Sequence, residues 1–184
     1  MTLLAHLPPP RDYQARAHLA TREALSRLRQ IGRRPAVLDV APCGAGKTRL
    51  GLGHAADYVD EGRPVLWIAP GKDLVRQPVE RLLDAGYSGV RWLMDGRAGG
   101  REDALLTVAT DDALAALVRR GKPLPRADLV ILDEARSYAA PAALSVIERY
   151  AGVDRIGYDA SPIGPRGAGL GILFDELVMV AQPE

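Results

Sequence analysis

An α/β fold with a mostly parallel central sheet is what this chain predicts, and three observations carry the prediction. Short runs rich in Val, Leu and Ile recur along the sequence and are apolar nearly throughout. Strands apolar on both faces belong inside a sheet covered on both sides. Amphipathic helical stretches separate these runs, and strand and helix alternating five times call for parallel strands joined by right-handed crossovers. Finally, the 184 residues, 47% of them apolar, contain no internal repeat, low-complexity linker or composition break, so one fold unit with a real core is expected.

The elements follow in order. Residues 1–10, with Pro8, Pro9 and Pro10 at their end, read as an extended lead-in, and the fold unit is taken as 11–184. The first helix covers 13–29 and gathers Ala17, Ala20, Ala24 and Leu28 on one stripe, with Arg16, Arg22, Arg27 and Arg29 largely off it. Then come a strand at 37–41, a helix at 47–60, a strand at 65–69 and a helix at 72–84. A strand at 105–109, a helix at 111–120, a strand at 129–132, a helix at 141–150 and strands at 154–158 and 177–180 complete the series.

Charge and composition narrow the function. Lys+Arg number 24 against 23 Asp+Glu, a formal charge of +1, so no global field draws the chain to nucleic acid or anionic membrane. Lys occurs only at 47, 72 and 122, which leaves 21 Arg and favours local phosphate contacts. The single cysteine, Cys43, excludes a disulfide framework, and His6, His18 and His54 have no metal-ligand spacing. The apolar stretch within 1–7 is too short for a secretory core, and Asp175 and Glu176 interrupt the apolar stretch 169–180. A soluble, cytoplasmic protein with no membrane partner is expected.

In such sheets, ligands sit at the carboxyl ends of strands, so the loops there hold the chemistry. After the strand at 37–41 come Pro42, Cys43, Gly44, Ala45, Gly46, Lys47, Thr48 and Arg49, opening a helix. This is the strand, loop and helix context of a P-loop, or Walker A motif. Gly44 and Gly46 let backbone N–H groups turn inward around phosphate oxygens, and the helix adds the positive end of its dipole. Lys47 can reach the β- and γ-phosphates and the Thr48 hydroxyl can ligate Mg²⁺. Ala41 stands where the general pattern has Gly; a small residue still permits the turn. Cys43 reads first as a small buried residue, with a thiol activated by the helix end and Lys47 as the alternative.

The run Leu129, Val130, Ile131 and Leu132 ends in Asp133 and Glu134. A carboxylate closing a buried strand is costly unless it meets a cation or water. Asp133 can hold the Mg²⁺ that Thr48 touches, and Glu134 can polarise a water toward the γ-phosphate. Alone, the pair also reads as a solvated strand end; with Lys47 and Thr48 upstream it reads as an NTPase site.

Together these residues resemble the first RecA-like lobe of superfamily 2 helicases and translocases, near the DEAH-like and restriction-enzyme motor-subunit groups, over residues 11–178. The resemblance implies a three-layer P-loop NTPase (RecA-like) fold and ATP with Mg²⁺ as cofactors. Arg11, Asp12, Tyr13 and Gln14 look like the family's adenine-reading element, which makes Arg11, Tyr13 and Gln14 nucleotide contacts; a plain Asp12 helix cap explains the same segment. Ile68, Ala69 and Pro70 with Leu74 and Gln77 are similar to motif Ia, and 107–110 to the strand-end element that touches a nucleic-acid backbone. By resemblance, Pro70, Gly71, Lys72 and Thr110 lie on a sequence-independent DNA- or RNA-binding face; core and turn roles fit each residue equally well. Direct base stacking is not favoured, because there are only nine aromatics and Trp67 and Tyr158 fall within strands.

Three residues depart from the family pattern. Arg136 replaces the usual His or Asp of motif II, Asp159 replaces the first hydroxyl of the motif III-like segment that includes Ser161, and Gly164 stands where Arg is common. Gly167, Gly169, Leu170, Phe174, Asp175, Leu177 and Val178 continue in register. The family goes on to a second RecA-like lobe that completes the ATP pocket, so a weak ATPase completed by such a lobe or subunit is expected. The alternative is a non-motor module using ATP as a structural or docking ligand. A small-molecule kinase would need an arginine-rich lid and an acceptor site, for which the region after Arg136 has no clear candidate.

Overall fold

The computed structural model describes residues 2–163 and 169–180. Its strands are β1 (Ala36–Val40), β2 (Val65–Ala69), β3 (Val90–Met94), β4 (Arg97–Gly100), β5 (Leu106–Thr110), β6 (Leu129–Asp133), β7 (Asp154–Asp159) and β8 (Glu176–Met179). They form one sheet in the order β4-β3-β5-β2-β6-β7-β1-β8, parallel except for the β3–β4 pair. The helices are α1 (Asp12–Gln30), α2 (Lys47–Val59), α3 (Lys72–Asp84), α4 (Asp111–Arg119) and α5 (Pro141–Ile147). The alternation read from sequence therefore stands, with most bounds shifted by one residue.

Each inner strand feeds two cores, because successive side chains point to opposite faces. Val37, Trp67 and Ile131 pack with α1, α2 and α3, whereas Leu38, Leu66 and Val130 pack with Leu114 of α4 and Val146 of α5. The result is a three-layer α/β arrangement.

Three expectations are corrected. The region 90–100, to which no strand was assigned, is a hairpin: Asp95 and Gly96 both have positive φ (51° and 69°), the two-residue turn that matches strand twist. Trp92 pairs with Gly99, where a Cβ would come within 2.3 Å of the indole. The helix expected over 141–150 gives way at Glu148–Tyr150 to a 3₁₀ turn. The lead-in is not extended throughout, since Leu4–His6 forms a 3₁₀ turn, Leu3 is fully buried, and its N–H donates to Asp60 Oδ1 at 2.6 Å. Gly164 and Gly167 lie outside the described residues. Among the described residues no helix is long and apolar enough to cross a membrane.

Candidate nucleotide-binding site

The strand order decides the site. β1 and β6 both flank β7, so the loop after β1 and the acids ending β6 face each other across one strand, about 10 Å apart at the sheet's carboxyl edge. Gly44 (φ 82°) and Gly46 (φ 74°) adopt left-handed backbone that L-residues resist, and they curl the loop before α2 begins at Lys47. A Cβ at Gly44 would meet nothing within 4 Å, so that side of the loop is open.

The loop is held from beneath by the start of α1. Tyr13 Oη and Gln14 Nε2 both donate to Ala45 O at 3.1 Å, and Gln14 Oε1 accepts from Arg11 N at 3.0 Å. Arg11 also donates to Tyr13 Oη at 3.3 Å. Gln14 is buried and sits so close that a Cβ on Gly46 would lie 2.4 Å from its Nε2. Each such bond contributes about 1 kcal/mol, enough in combination to fix a loop whose own backbone bonds are few. The Gln14 amide is thereby committed on both atoms to chain groups. Arg49 donates through Nε to Pro8 O at 2.6 Å, and burial lowers its pKa. Cys43 is exposed at the loop's tip, which corrects the expectation of a small buried residue.

Opposite stands Asp133, 8% exposed. Burial, then the charge of Glu134, pushes its carboxyl up to about 6, and Lys47 offsets this only in part. Glu134 sits at φ 50°, one of two non-glycine residues with positive φ among those described. Its backbone N–H donates to Asp133 Oδ1 at 3.1 Å, and its carboxylate is shared: Oε1 lies 3.5 Å from Lys47 Nζ and Oε2 lies 3.5 Å from the Arg136 guanidinium. Strained backbone at such a position points toward function.

The third strand end is Asp159 of β7, fully buried between the other two. Its carboxylate accepts from Arg136 N at 2.9 Å and Ser161 N at 3.1 Å, and Arg136 Nε lies 3.1 Å from its Oδ1 as an ion pair. Two of the three residues that depart from the motif pattern are thus partners: a cation at 136 and an anion at 159 form one ion pair. Lys47, Glu134, Arg136 and Asp159 make a continuous chain of charges from the loop to the end of β7.

Comparison with known proteins fits this geometry. The family described as type III restriction enzyme, res subunit, matches residues 7–160. The chain belongs to that family. No curated protein matches it by sequence. Among solved structures, the UvsW helicase from bacteriophage T4 is 18% identical with a TM-score of 0.63, covering 94% of this chain and 60% of that one. The Hef helicase domain of Pyrococcus furiosus is 23% identical with a TM-score of 0.68, covering 95% and 39%. The Sulfolobus solfataricus SWI2/SNF2 ATPase core, solved in complex with dsDNA, is 18% identical with a TM-score of 0.61, covering 84% and 32%. These likenesses carry the fold, that of a first RecA-like helicase lobe, and the chain spans 60% or less of the length of each.

This res-subunit lobe brings the four residues expected on a nucleic-acid face to one place. Pro70, Gly71, Lys72 and Thr110 line a cavity of about 170 Å³ at the ends of β2 and β5, together with Asp95, Asp111 and Asp112. The Thr110 hydroxyl accepts from Ala113 N at 3.2 Å and so caps α4. The three acids were not anticipated, and burial pushes Asp111 up.

The res-subunit lobe also brings two of its histidines together across two helices. His18 on α1 and His54 on α2 stack with ring centroids 4.0 Å apart, and His18 Nε2 lies 2.7 Å from Asp57 Oδ2. With Asp57 they form a group whose ligand atoms all lie within 4.8 Å of one another. Spacing along one segment cannot reveal donors that meet across two helices. Arg22, 3.7 Å from Asp57, competes for the same carboxylate.

Proposed function

We propose that the chain binds Mg-ATP in the loop 42–49 and hydrolyses it slowly by itself, as the nucleotide-binding lobe of a nucleic-acid motor. The observation that carries this reading is the approach of Lys47 Nζ to Glu134 Oε1, which joins the two motifs in one cleft. The donor set suits the cation: Thr48 offers a hydroxyl and Asp133 a buried carboxylate short of positive charge, both hard oxygen ligands. Bound Mg²⁺ would neutralise charge on the β- and γ-phosphates.

The chain's own groups do the rest. Backbone N–H groups from Gly44 to Thr48 and the start of α2 receive the phosphates. Lys47 exchanges its contact with Glu134 for the β- and γ-phosphates, which frees Glu134 Oε1 to accept a proton from the attacking water. Arg136 keeps hold of Glu134 Oε2, orienting the base, and Asp159 anchors Arg136. Tyr13 and Gln14 support the loop through Ala45, Arg11 holds the Tyr13 hydroxyl, and the three border the adenine side. A second RecA-like lobe or subunit would supply an arginine finger, worth roughly 10³ to 10⁵ in rate in NTPases that use one.

Glu134→Gln keeps the shape and removes the base. ATP binding should persist while turnover falls by about 10² to 10⁴. Unchanged turnover in a steady-state ATPase assay would remove Glu134 from the chemistry.

A second reading, a non-motor module that uses ATP as a docking ligand, draws on the three acids beside Lys72 and Thr110, which oppose phosphate at that face. Titrating single-stranded and duplex DNA or RNA during turnover separates the readings. Stimulation supports the motor lobe, and a flat response supports the module.

A further inference from the structure

On the far flank of the sheet, away from the nucleotide cleft, a groove of about 630 Å³ runs between the β3–β4 hairpin and α4 with the loop 120–126 behind it. Five cations line it: Arg91, Arg97, Arg120, Lys122 and Arg126. In a chain whose net charge is +1 this is a local concentration, and no carboxylate among the described residues lines the groove. None of the five has an ion-pair partner among the described residues, whereas eight other arginines are paired with an acid. The cations sit on opposite walls, Arg91 and Arg97 on the hairpin and the other three after α4, so one small anion cannot satisfy them.

The floor decides which polyanion fits. It is aliphatic, made by Leu93, Leu117 and Leu124 with alanines of β4 and α4. Arg91 and Leu93 alternate with Trp92 along β3, so a cation and an apolar side chain enter the groove together while the indole packs on the opposite face. A nucleic-acid strand would gain little here. Its sugar-phosphate edge has nothing apolar to bury on leucine, and none of the chain's nine aromatics lines the groove to stack a base.

We propose that this groove docks an acidic amphipathic segment of a partner protein, seating apolar side chains on Leu93, Leu117 and Leu124 while its carboxylates pair with the five cations. Arg suits this role because its guanidinium takes carboxylates two bonds at a time and desolvates more easily than Lys. The site uses no residue of the nucleotide cleft, so it stands or falls separately from ATP binding.

The test is fluorescence anisotropy of the full chain with a labelled peptide in which Leu recurs at helical spacing among Glu and Asp. Saturable binding is expected, weakening with salt. It should weaken by at least about tenfold in the double variant Arg91→Glu, Arg120→Glu and when Ser replaces every Leu of the peptide. Both substituted residues are solvent-accessible, and circular dichroism verifies that the variant folds. Equal binding of the Ser-containing peptide would reduce the groove to a simple ion exchanger and overturn the proposal. So would the absence of saturable peptide binding, or charge reversals that abolish binding of a labelled oligonucleotide while leaving the peptide unaffected.

Discussion

Asp39 lies within β1, fully buried, with the Thr21 hydroxyl donating to Oδ1 at 2.6 Å and Oδ2 without a hydrogen-bond partner. His54 Nε2, 3.9 Å from Oδ2, is equally buried and also lacks a partner. Burial pushes the Asp39 carboxyl up to about 7 and His54 well below its ordinary value. The two act in opposite directions. A raised carboxyl stabilises the fold fully below its unfolded value near 3.8, and that contribution is lost as pH rises through about 7. A depressed imidazole contributes above its ordinary 6.5 and loses that contribution as pH falls. Asp39→Asn isolates the first effect. In urea denaturation the variant should gain on the wild type by an amount on the order of 1–3 kcal/mol at pH 8, and the gain should shrink toward pH 5. A difference that does not change with pH would contradict this assignment. At this same scale the sequence singles out Lys47, Thr48, Asp133 and Glu134 by residue type at two strand ends, and the structure brings Lys47 within 3.5 Å of Glu134. The Arg136–Asp159 pair is not legible there: each looks like an isolated departure, and only the adjacency of the ends of β6 and β7 makes one the counterion of the other.

Among the elements, α2 shows how closely a helix must approach the sheet to set the loop before it. Gly51 has no room for a methyl group: a Cβ there would lie 2.5 Å from Trp67 and 3.2 Å from Tyr158, both fully buried and unable to move aside. Gly51→Ala gains about 1 kcal/mol of helix propensity but overpacks the core at roughly 1–3 kcal/mol. Overpacking prevails, so Tm should fall by a few degrees, about 2–4 °C for each kcal/mol lost. A rise in Tm, read by differential scanning calorimetry, would mean that α2 can lift off the sheet. The inner strands were legible because they are apolar on both faces. The β3–β4 hairpin escaped because it lies at the sheet edge, where half-exposed residues and Gly99 and Gly100 dilute the apolar pattern. The pair Asp95 and Gly96 was the available signal, being the turn that such a hairpin demands.

For the molecule as a whole, the order of strands does what the sequence alone could not. Alternating strands and helices predict a parallel sheet but not which strands are neighbours, and it is the insertion of β7 between β6 and β1 that brings Glu134 to Lys47. Membership of the res-subunit family and the RecA-like helicase fold fit the triphosphate site proposed at these strand ends. The central claim is that loop 42–49 and Asp133 with Glu134 form a single Mg-ATP site. Isothermal titration calorimetry with ATP tests it most directly, run on the wild type with Mg²⁺ and with excess EDTA, and on Lys47→Ala and Asp133→Ala. The account predicts saturable binding in Mg²⁺, weaker binding in EDTA, loss of binding in Lys47→Ala, and loss of the Mg²⁺ enhancement in Asp133→Ala. Wild-type Mg-ATP affinity retained in both variants, or no binding of ATP by the wild type, would contradict it.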